Sequence, residues 1–263
     1  MRPPTQVVVA IPARDEQDSI DRCLASVIDA VGFARKQEMV DNAAIEVSAH
    51  GCSDQTAAHA RAMLRRTPTG RVVADDHSIT IGAARDKAVR RGLQVLGPAT
   101  ADVWVVSTDA DTVVPVDWLA KIISVARLER AVAVVGLALL DRWFGSESGR
   151  RAYDAVVTSK ISRVGRAGWT HNHVYGANLA VRSDAYLSVG GFPDVRHGED
   201  QQLVDTLALG GFRIARTCEI AVLTSGRMHG RADDGLADFL RGLDTSASAA
   251  PEASRVAGSA FRE

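Results

Sequence analysis

Apolar residues in the first half of the chain form short runs that are separated by segments with helical spacing. Residues 7–11 read Val-Val-Val-Ala-Ile without a polar interruption, which is typical of a strand covered on both faces. Helices are predicted at 18–31, 56–66, 83–96 and 115–129, and further strands at 44–48, 71–73, 103–107 and 132–140. This alternation predicts an α/β fold with a doubly wound, mostly parallel sheet.

The second half is less regular. The basic segment 141–168 is predicted to be helical, and a glycine pair ends a predicted helix at 200–209. The other predicted elements are strands at 174–181, 212–215 and 220–224 and a short helix at 183–189. We expect one domain over 1–243, with halves 1–140 and 141–243. Residues 244–263 are rich in Ser, Ala and Gly, so we expect a mobile tail there.

Composition excludes several classes of protein. The chain has 263 residues, of which 46% are hydrophobic, enough to bury a large core. With 31 basic and 32 acidic side chains, it has no net attraction for nucleic acid. The longest apolar stretch, 131–140, is about half the length of a membrane span. Three scattered cysteines indicate neither disulfides nor zinc, and the N-terminus lacks a signal-peptide pattern, so we expect a soluble, cytoplasmic protein.

Two acidic residues follow a buried strand at the place where such sheets bind ligands. Asp109 and Asp111 come directly after the strand at 103–107, and in an extended chain their carboxylates project to the same side. They would repel each other unless a cation joined them, and Mg²⁺ or Mn²⁺ suits such a pair. A helix N-cap and turn is the structural alternative, but the preceding strand favours a metal site.

A second acidic pair, Glu199 and Asp200, opens the predicted helix at 200–209. These carboxylates suit the positive end of the helix dipole. They equally suit a general base that takes a proton from an attacking hydroxyl. The local sequence does not decide between the two interpretations.

Three further positions have both a structural and a ligand-binding interpretation. His229 lies between Arg227 and Arg231 with glycines beside it; it is either a surface histidine or part of a cationic site for a pyrophosphate. Asp54 either caps the following helix or contacts a nucleotide. Arg85 either faces solvent or reaches a phosphate at the N-terminus of its helix.

Taken together, these motifs resemble glycosyltransferase family 2, inverting enzymes of the glycosyltransferase-A fold. The resemblance runs from Val7 to about Leu243, and it rests on the order and spacing of the motifs. They are VAIPARDE at 9–16, GCSDQT at 51–56, GAAR at 82–85, STDAD at 107–111, GANLAVR at 176–182, GGF at 190–192 and GED at 198–200.

The resemblance implies a UDP- or GDP-sugar donor, bound mainly by the half 1–140. Mn²⁺ or Mg²⁺ would be the cofactor, held by Asp111 with Asp109 and His229. The residues expected at the donor are Pro12, Ala13, Arg14, Glu16, Asp54, Arg85, Asp109, Ala110, Gly176, Ala177, Asn178, Arg227 and Arg231.

The same resemblance assigns the half 141–243 to the acceptor and to catalysis. Asp200, with Glu199 beside it, would be the catalytic base of a single inverting displacement. The metal and nearby arginines would stabilise the leaving diphosphate. The acceptor is expected to be small or lipid-linked. The arginines at 142, 150, 151, 163 and 166 either contact a phosphorylated acceptor or a membrane surface, or they face solvent.

The chain departs from the family pattern at three places. Many members end the second strand with an Asp that reads the base, where this chain has Ala49 and His50. Asp15 stands where Asn is common, and the Gln-x-x-Arg-Trp signature of processive members is absent. Two other functions stay open. One is a nucleotide-sugar-binding subunit without turnover. The other is nucleotidyl transfer to a sugar phosphate, which the absence of glycine from the loop 12–16 disfavours.

Overall fold

The computed structural model describes residues 5–68, 70–75, 78, 80–97, 103–163, 169–230 and 235–249. In the first half, strands and helices alternate as the apolar pattern predicts. They are β1 (Gln6–Ala13), α1 (Ile20–Lys36), β2 (Asn42–His50), α2 (Thr56–Leu64), β3 (Gly70–Asp75), α3 (Ile81–Leu96), β4 (Val103–Ser107), α4 (Trp118–Glu129) and β5 (Ala133–Leu140).

The second half differs more from the predicted elements. A short 3₁₀ helix covers Gly176–Asn178 between two of its strands. The remaining elements are α5 (Glu147–Ser159), β6 (Ile161–Arg163), β7 (Trp169–His171), β8 (Leu179–Arg182), α6 (Ser183–Ser188), α7 (Glu199–Leu209), β9 (Ile214–Thr224) and α8 (Leu236–Ala249).

One seven-stranded sheet, ordered β3-β2-β1-β4-β8-β5-β9, runs through the molecule. β8 is antiparallel to both of its neighbours, and the other pairs are parallel. The predicted mostly parallel sheet is therefore confirmed. Because β8 lies between β4 and β5, the halves 1–140 and 141–243 share this sheet.

Helices cover both faces of the sheet. On one face α1, α2 and α4 bury a cluster that includes Ile20, Leu24 and Trp118. On the other face α3, α6 and α7 bury a cluster that includes Val89 and Tyr186. Burial on both faces explains why the central strands are unbroken apolar runs.

The single helix predicted over 141–168 is wrong at both ends. Ser146 begins α5 by accepting a hydrogen bond from the Gly149 N–H at 3.0 Å. The helix ends at Ser159, and β6 and β7 then pair as an antiparallel hairpin. The hairpin residues lie among basic and polar positions, where the apolar period does not mark a strand.

Two predictions for strands also need correction. The strand predicted at 174–181 begins only at Leu179, because the Gly176 N–H bonds to a side chain, that of Asp200, instead of a neighbouring strand. The strands predicted at 212–215 and 220–224 are one strand, β9. It is an edge strand, where half-exposed residues such as Arg216 and Cys218 fit into the alternation.

Helix α8 changes the picture of the C-terminus. It continues through Ala249, so residues 244–249, which were predicted to be part of a mobile tail, are helical. Residues 250–263 lie outside the described part of the chain. Within the described ranges, no helix combines the length and hydropathy needed to cross a membrane.

Candidate active site

A cavity of about 720 Å³ opens where β1 and β4 end and α7 begins. This volume is within the range of small-molecule sites, and the position beyond the strand ends is the one expected for this kind of sheet. Its lining includes most of the residues that the sequence predicted, namely Pro12, Arg14, Glu16, Arg85, Asp109, Ala110, Asp111, Gly176, Ala177, Glu199, Asp200 and Arg227.

Asp200 presents its carboxylate to this cavity from the first turn of α7. Oδ2 accepts a hydrogen bond from the Gly176 N–H at 2.6 Å, and Oδ1 accepts one from the Gln201 N–H at 2.7 Å. Burial raises the pKa of Asp200, against the opposing charge of Arg85. A fixed carboxylate with a raised pKa at a cavity wall has the properties of a general base.

Glu199 has a different environment from its neighbour. Its side chain is buried, and Oε1 accepts hydrogen bonds from Nε of Arg85 at 3.2 Å and Nη2 at 3.1 Å. Burial raises its pKa more than Arg85 lowers it. Glu199 is therefore placed as the partner of a buried arginine, whereas Asp200 is the carboxylate that a ligand can approach.

Arg85 occupies the centre of the site. Besides Glu199, its guanidinium donates to Asp109 Oδ1 at 2.9 Å, to Ser107 Oγ at 2.5 Å and to the Gly176 carbonyl at 3.1 Å. A guanidinium has five N–H donors, and these five hydrogen bonds use all of them. Arg85 is only 1% exposed and fully bonded within the protein, so this arrangement does not support its predicted contact with a phosphate, which stays a prediction.

Asp109 and Asp111 do not form the extended pair that the sequence analysis assumed. The Thr112 N–H bonds to the Asp109 carbonyl at 3.0 Å and closes a turn after β4. Asp109 then binds Arg85, while Asp111 Oδ2 lies 3.2 Å from Nη2 of Arg227. Both carboxylates nevertheless line the same cavity.

Arg227 lies just after β9, and its side chain contacts the loop that follows β1. Its guanidinium forms a bidentate pair with Glu16, with distances of 2.9 and 2.5 Å. The same group contacts Asp111. Burial and the negative charges of Asp109 and Glu16 raise the pKa of Asp111 to about 7, although Arg227 opposes this. The three carboxylates of Glu16, Asp109 and Asp111 therefore exceed the two guanidinium groups paired with them, Arg227 and Arg85.

This excess of negative charge fits a divalent cation. Mg²⁺ is usually bound through one or two carboxylates, with phosphate and water as the other ligands, and Asp111 and Asp109 offer such oxygens. Within the described ranges, neither residue belongs to a group of three or more His, Cys, Asp or Glu with ligand atoms mutually within 4.8 Å. The pair therefore suits an ion that also takes ligands from a bound diphosphate.

One close group of metal-ligating side chains does occur, Asp15 with Cys52 and Asp54. Asp15 Oδ1 accepts from the Ser53 N–H at 2.7 Å, and Asp54 Oδ2 accepts from the Gln17 N–H at 3.1 Å. These bonds tie the loop after β2 to the loop after β1. Asp15 has a φ of 51°, a conformation that Asp and Asn tolerate best, which explains why Asp can replace Asn here.

Several predicted ligands lie elsewhere. Asn178 is buried, donates to the carbonyls of Leu137 and Ile220, and accepts from Trp118 Nε1 at 2.9 Å. Its amide is therefore used in the core, and its contact with the donor, which this arrangement does not support, stays a prediction. Ala13, Asp54 and His229 are not among the residues that line the cavity, and Arg231 lies outside the described residues.

His229 is exposed. Because it does not line the cavity that Asp109 and Asp111 share, this arrangement does not support its prediction as a metal ligand.

The cavity also has a lining that the sequence analysis did not assign. His50 is 7% exposed, and burial, with the charge of Arg14, lowers its pKa, so its ring is neutral near pH 7. Further lining comes from Tyr175, Arg196 and His197 and from α8. His50 could be located from its position at the end of β2, but the contribution of α8 depends on tertiary packing that no motif signals.

Comparison with known proteins gives a consistent result. The family described as Glycosyl transferase family 2 matches residues 8–186. Among curated protein sequences, none matches significantly.

Several solved structures share the fold at low sequence identity. A mannosyltransferase from Pyrobaculum calidifontis in complex with GDP-Man and Mn²⁺ has a TM-score of 0.62 and 17% identity, covering 93% of this chain and 63% of the mannosyltransferase chain. S. aureus TarS 1–349 in complex with UDP-GlcNAc has a TM-score of 0.60 and 15% identity, with coverages of 87% and 60%. GalNAc-T7 with UDP, GalNAc and Mn²⁺ has a TM-score of 0.59 and 12% identity, covering 84% of this chain and 43% of the GalNAc-T7 chain. The chain thus spans less than two thirds of the length of these structures.

Proposed function

The chain belongs to glycosyl transferase family 2, and from this premise we propose that it transfers a single sugar from a nucleoside-diphosphate sugar to an acceptor hydroxyl, with inversion and with Asp200 as the base. The observation that carries the proposal is that Asp200 lines the same cavity as Asp111 and Arg227. A proton acceptor and a site for a leaving diphosphate therefore share one space.

The proposed reaction is a single displacement at the anomeric carbon. The acceptor oxygen forms a bond to that carbon as its proton passes to the Asp200 carboxylate, and the bond from the carbon to the diphosphate oxygen breaks. The Gly176 and Gln201 N–H groups hold the carboxylate in place during this transfer. One base on the face opposite to the leaving group is sufficient, and the product has the inverted configuration.

Negative charge develops on the diphosphate as it leaves. Arg227 and Arg14 line the cavity and offer guanidinium groups to its oxygens. Asp111, together with Asp109, would hold Mn²⁺ or Mg²⁺, which supplies Lewis-acid neutralisation of the leaving group when it is bound. Two of the structural neighbours are complexes with Mn²⁺, and this supports a metal of that kind.

The donor is proposed to be a UDP- or GDP-sugar, since the neighbours hold GDP-Man, UDP-GlcNAc and UDP. Pro12, Arg14, Glu16 and His50 are the cavity residues at the ends of β1 and β2, and we assign the nucleoside to them. Asp111 and Arg227 would lie at the diphosphate. Gly176 and Ala177, beside Asp200, would border the transferred sugar.

The test compares two aspartates of the same helix. In Asp200→Asn the base is lost, and transfer measured by nucleoside diphosphate release should fall about a hundred- to ten-thousand-fold. Asp205→Asn is the matched control, because Asp205 is exposed on α7 and does not line the cavity. Equal activity of the two variants, with UDP- and GDP-sugars and Mn²⁺ supplied, would remove Asp200 from the mechanism.

A further inference from the structure

We infer that the acceptor is an amphiphile, a hydroxyl-bearing molecule with an apolar chain or ring next to the hydroxyl, and that Leu236 and Phe239 of α8 bind its apolar part. This inference rests on the proposed function, because it places the reacting hydroxyl at Asp200. It goes further in naming the chemical class of the acceptor and the surface that selects it.

Helix α8 is anchored firmly on one side. Leu240 is fully buried, in a cluster with Leu140 and with Tyr153 of α5. Arg241 Nη1 donates to the Met228 carbonyl at 3.1 Å, and Asp244 Oδ1 accepts from the Ser146 N–H at 2.7 Å. The helix therefore presents its remaining faces in a fixed orientation.

The two large apolar residues that α8 leaves exposed both line the cavity. Phe239 is 45% exposed and Leu236 is 36% exposed. They are three positions apart, so they are neighbours on the helix surface. An anchored helix that presents Leu and Phe to a ligand cavity provides an apolar contact for a ligand.

The cavity has further apolar lining on the segment that holds the proposed base. Tyr175 and Val174 also line the cavity, and Tyr175 directly precedes Gly176, whose N–H binds Asp200 at 2.6 Å. The Tyr175 ring stacks on His173, with ring centroids 5.3 Å apart, and this fixes its position. The cavity that contains the Asp200 carboxylate therefore also has an aromatic residue in its lining.

Another part of the lining is polar. The segment that leads into α7 contributes Arg196, His197 and Gly198, followed by the acidic pair. A wholly polar acceptor would leave Leu236 and Phe239 facing water, and a wholly apolar molecule would offer no hydroxyl. An amphiphile satisfies both parts of the cavity.

The donor does not explain the apolar residues of α8. The groups assigned to the nucleoside and diphosphate lie on the loops after β1, β2, β4 and β9, and the described residues of α8 that line the cavity are Leu236, Ala237 and Phe239. None of the three offers a charged or polar side chain to a diphosphate. Their chemistry is that of an apolar ligand.

The experiment uses methyl, hexyl and octyl β-D-glucopyranoside below their micellar concentrations. Binding to the whole protein is measured by calorimetry with UDP or GDP and Mn²⁺ present. In separate assays with UDP- and GDP-sugars as donors, KM is measured for each glucoside to which sugar is transferred. We expect the octyl compound to bind at least tenfold more tightly than the methyl compound. Phe239→Ala should lose most of this difference, and Phe239→Leu should restore part of it.

Phe144→Ala is the matched control, since Phe144 is 60% exposed but does not line the cavity. It should bind octyl glucoside like the wild type. Three results would each overturn the inference. The wild type could bind all three glucosides equally, or Phe239→Ala and Phe144→Ala could lose the same affinity for octyl glucoside. Phe239→Ala could also lose affinity for UDP and GDP while its affinity for the glucosides stays unchanged. Selective octyl binding without any sugar transfer would instead refute the proposed function, so the two failures can be told apart.

Discussion

At the scale of single residues, the site depends on the buried guanidinium of Arg85. It connects the carboxylate that follows β4, Asp109, with the first residue of α7, Glu199. Because Arg85 also donates to the Gly176 carbonyl, and the Gly176 N–H holds Asp200, it positions the proposed base without touching the ligand. We regard it as a positioning residue.

Replacing Arg85 with Met should destabilise the fold by about 3 to 5 kcal/mol, because two carboxylates lose a buried partner. Urea denaturation gives the free energy of unfolding. The double variant Arg85→Met, Glu199→Gln should recover part of the loss, since the unpaired charge of Glu199 is removed. A single variant as stable as the wild type would show that the guanidinium is not part of a buried ion pair.

Sequence motifs located Arg85 and Asn178 but did not indicate the direction of their side chains. Each lies inside a motif of the family and has polar atoms of the kind that bind a nucleotide sugar. The direction of a side chain follows from the packing around it, however, and both are used inside the protein, by Ser107 and Glu199 for Arg85 and by backbone carbonyls for Asn178. Motif spacing carries no information on that choice.

A second buried charge lies away from the cavity. The Glu46 side chain on β2 is fully buried, with Arg71 and Arg91 each 3.9 Å away. Among the residues that the structure describes, neither carboxylate oxygen has a hydrogen-bond partner. Burial raises the pKa of Glu46 to about 7, although both arginines oppose this.

This raised pKa predicts how stability depends on pH. The folded state disfavours the charged carboxylate, so Glu46 costs stability progressively as the pH rises from its unfolded pKa, near 4.5, towards 7. Glu46→Gln removes this cost. Relative to the wild type, the variant should gain about 2 to 3 kcal/mol between pH 5 and pH 8, measured by denaturation at both pH values. A difference that does not change with pH would contradict the assignment.

At the scale of elements, helix α8 is held against α5 by small residues. A Cβ atom added to Gly149 in α5 would lie 2.3 Å from Asp244 Oδ1 and 2.9 Å from both the Asp244 Cα and Trp143 Cζ2. One of these contacts is with backbone, so α8 must shift to accept it. The close approach of the two helices therefore requires glycine at this position.

The same substitution should have opposite effects at two glycines. Gly32→Ala in α1 meets no atom within 4 Å, and it should stabilise the protein by about 0.5 to 1 kcal/mol through helix propensity. Gly149→Ala should destabilise it, because α8 is displaced. Denaturation curves of both variants check the pair, and stabilisation by Gly149→Ala would show that α5 and α8 are not tightly packed.

The order and type of the elements in the first half could be predicted, with ends that differ by up to about five residues, and those of the second half could be predicted less well. Strands such as β4 are buried on both faces, so their apolar runs begin and end with the strand. The edge strand β9 includes half-exposed polar residues. It is one strand instead of the two predicted because both of its ends pair with β5. The antiparallel direction of β8 depends likewise on its neighbours.

At the scale of the whole molecule, the chain's two halves meet in one sheet and one cavity. Arg227, near the end of the described chain, pairs with Glu16 near its beginning. The sheet places Asp111 and Asp200 at the same edge, although they come from different halves. The order of the motifs predicted that these residues lie close together, because the strand ends of an α/β sheet converge.

The stereochemistry of the product tests the central claim most directly. A nuclear magnetic resonance time course would follow the anomeric proton of the sugar during transfer from the donor to a hydroxyl acceptor. Attack assisted by one base, Asp200, predicts that the first product formed has the configuration opposite to that of the donor, and that Asp200→Asn forms almost none of it. A product with retained configuration, or full transfer by the variant, would contradict the account.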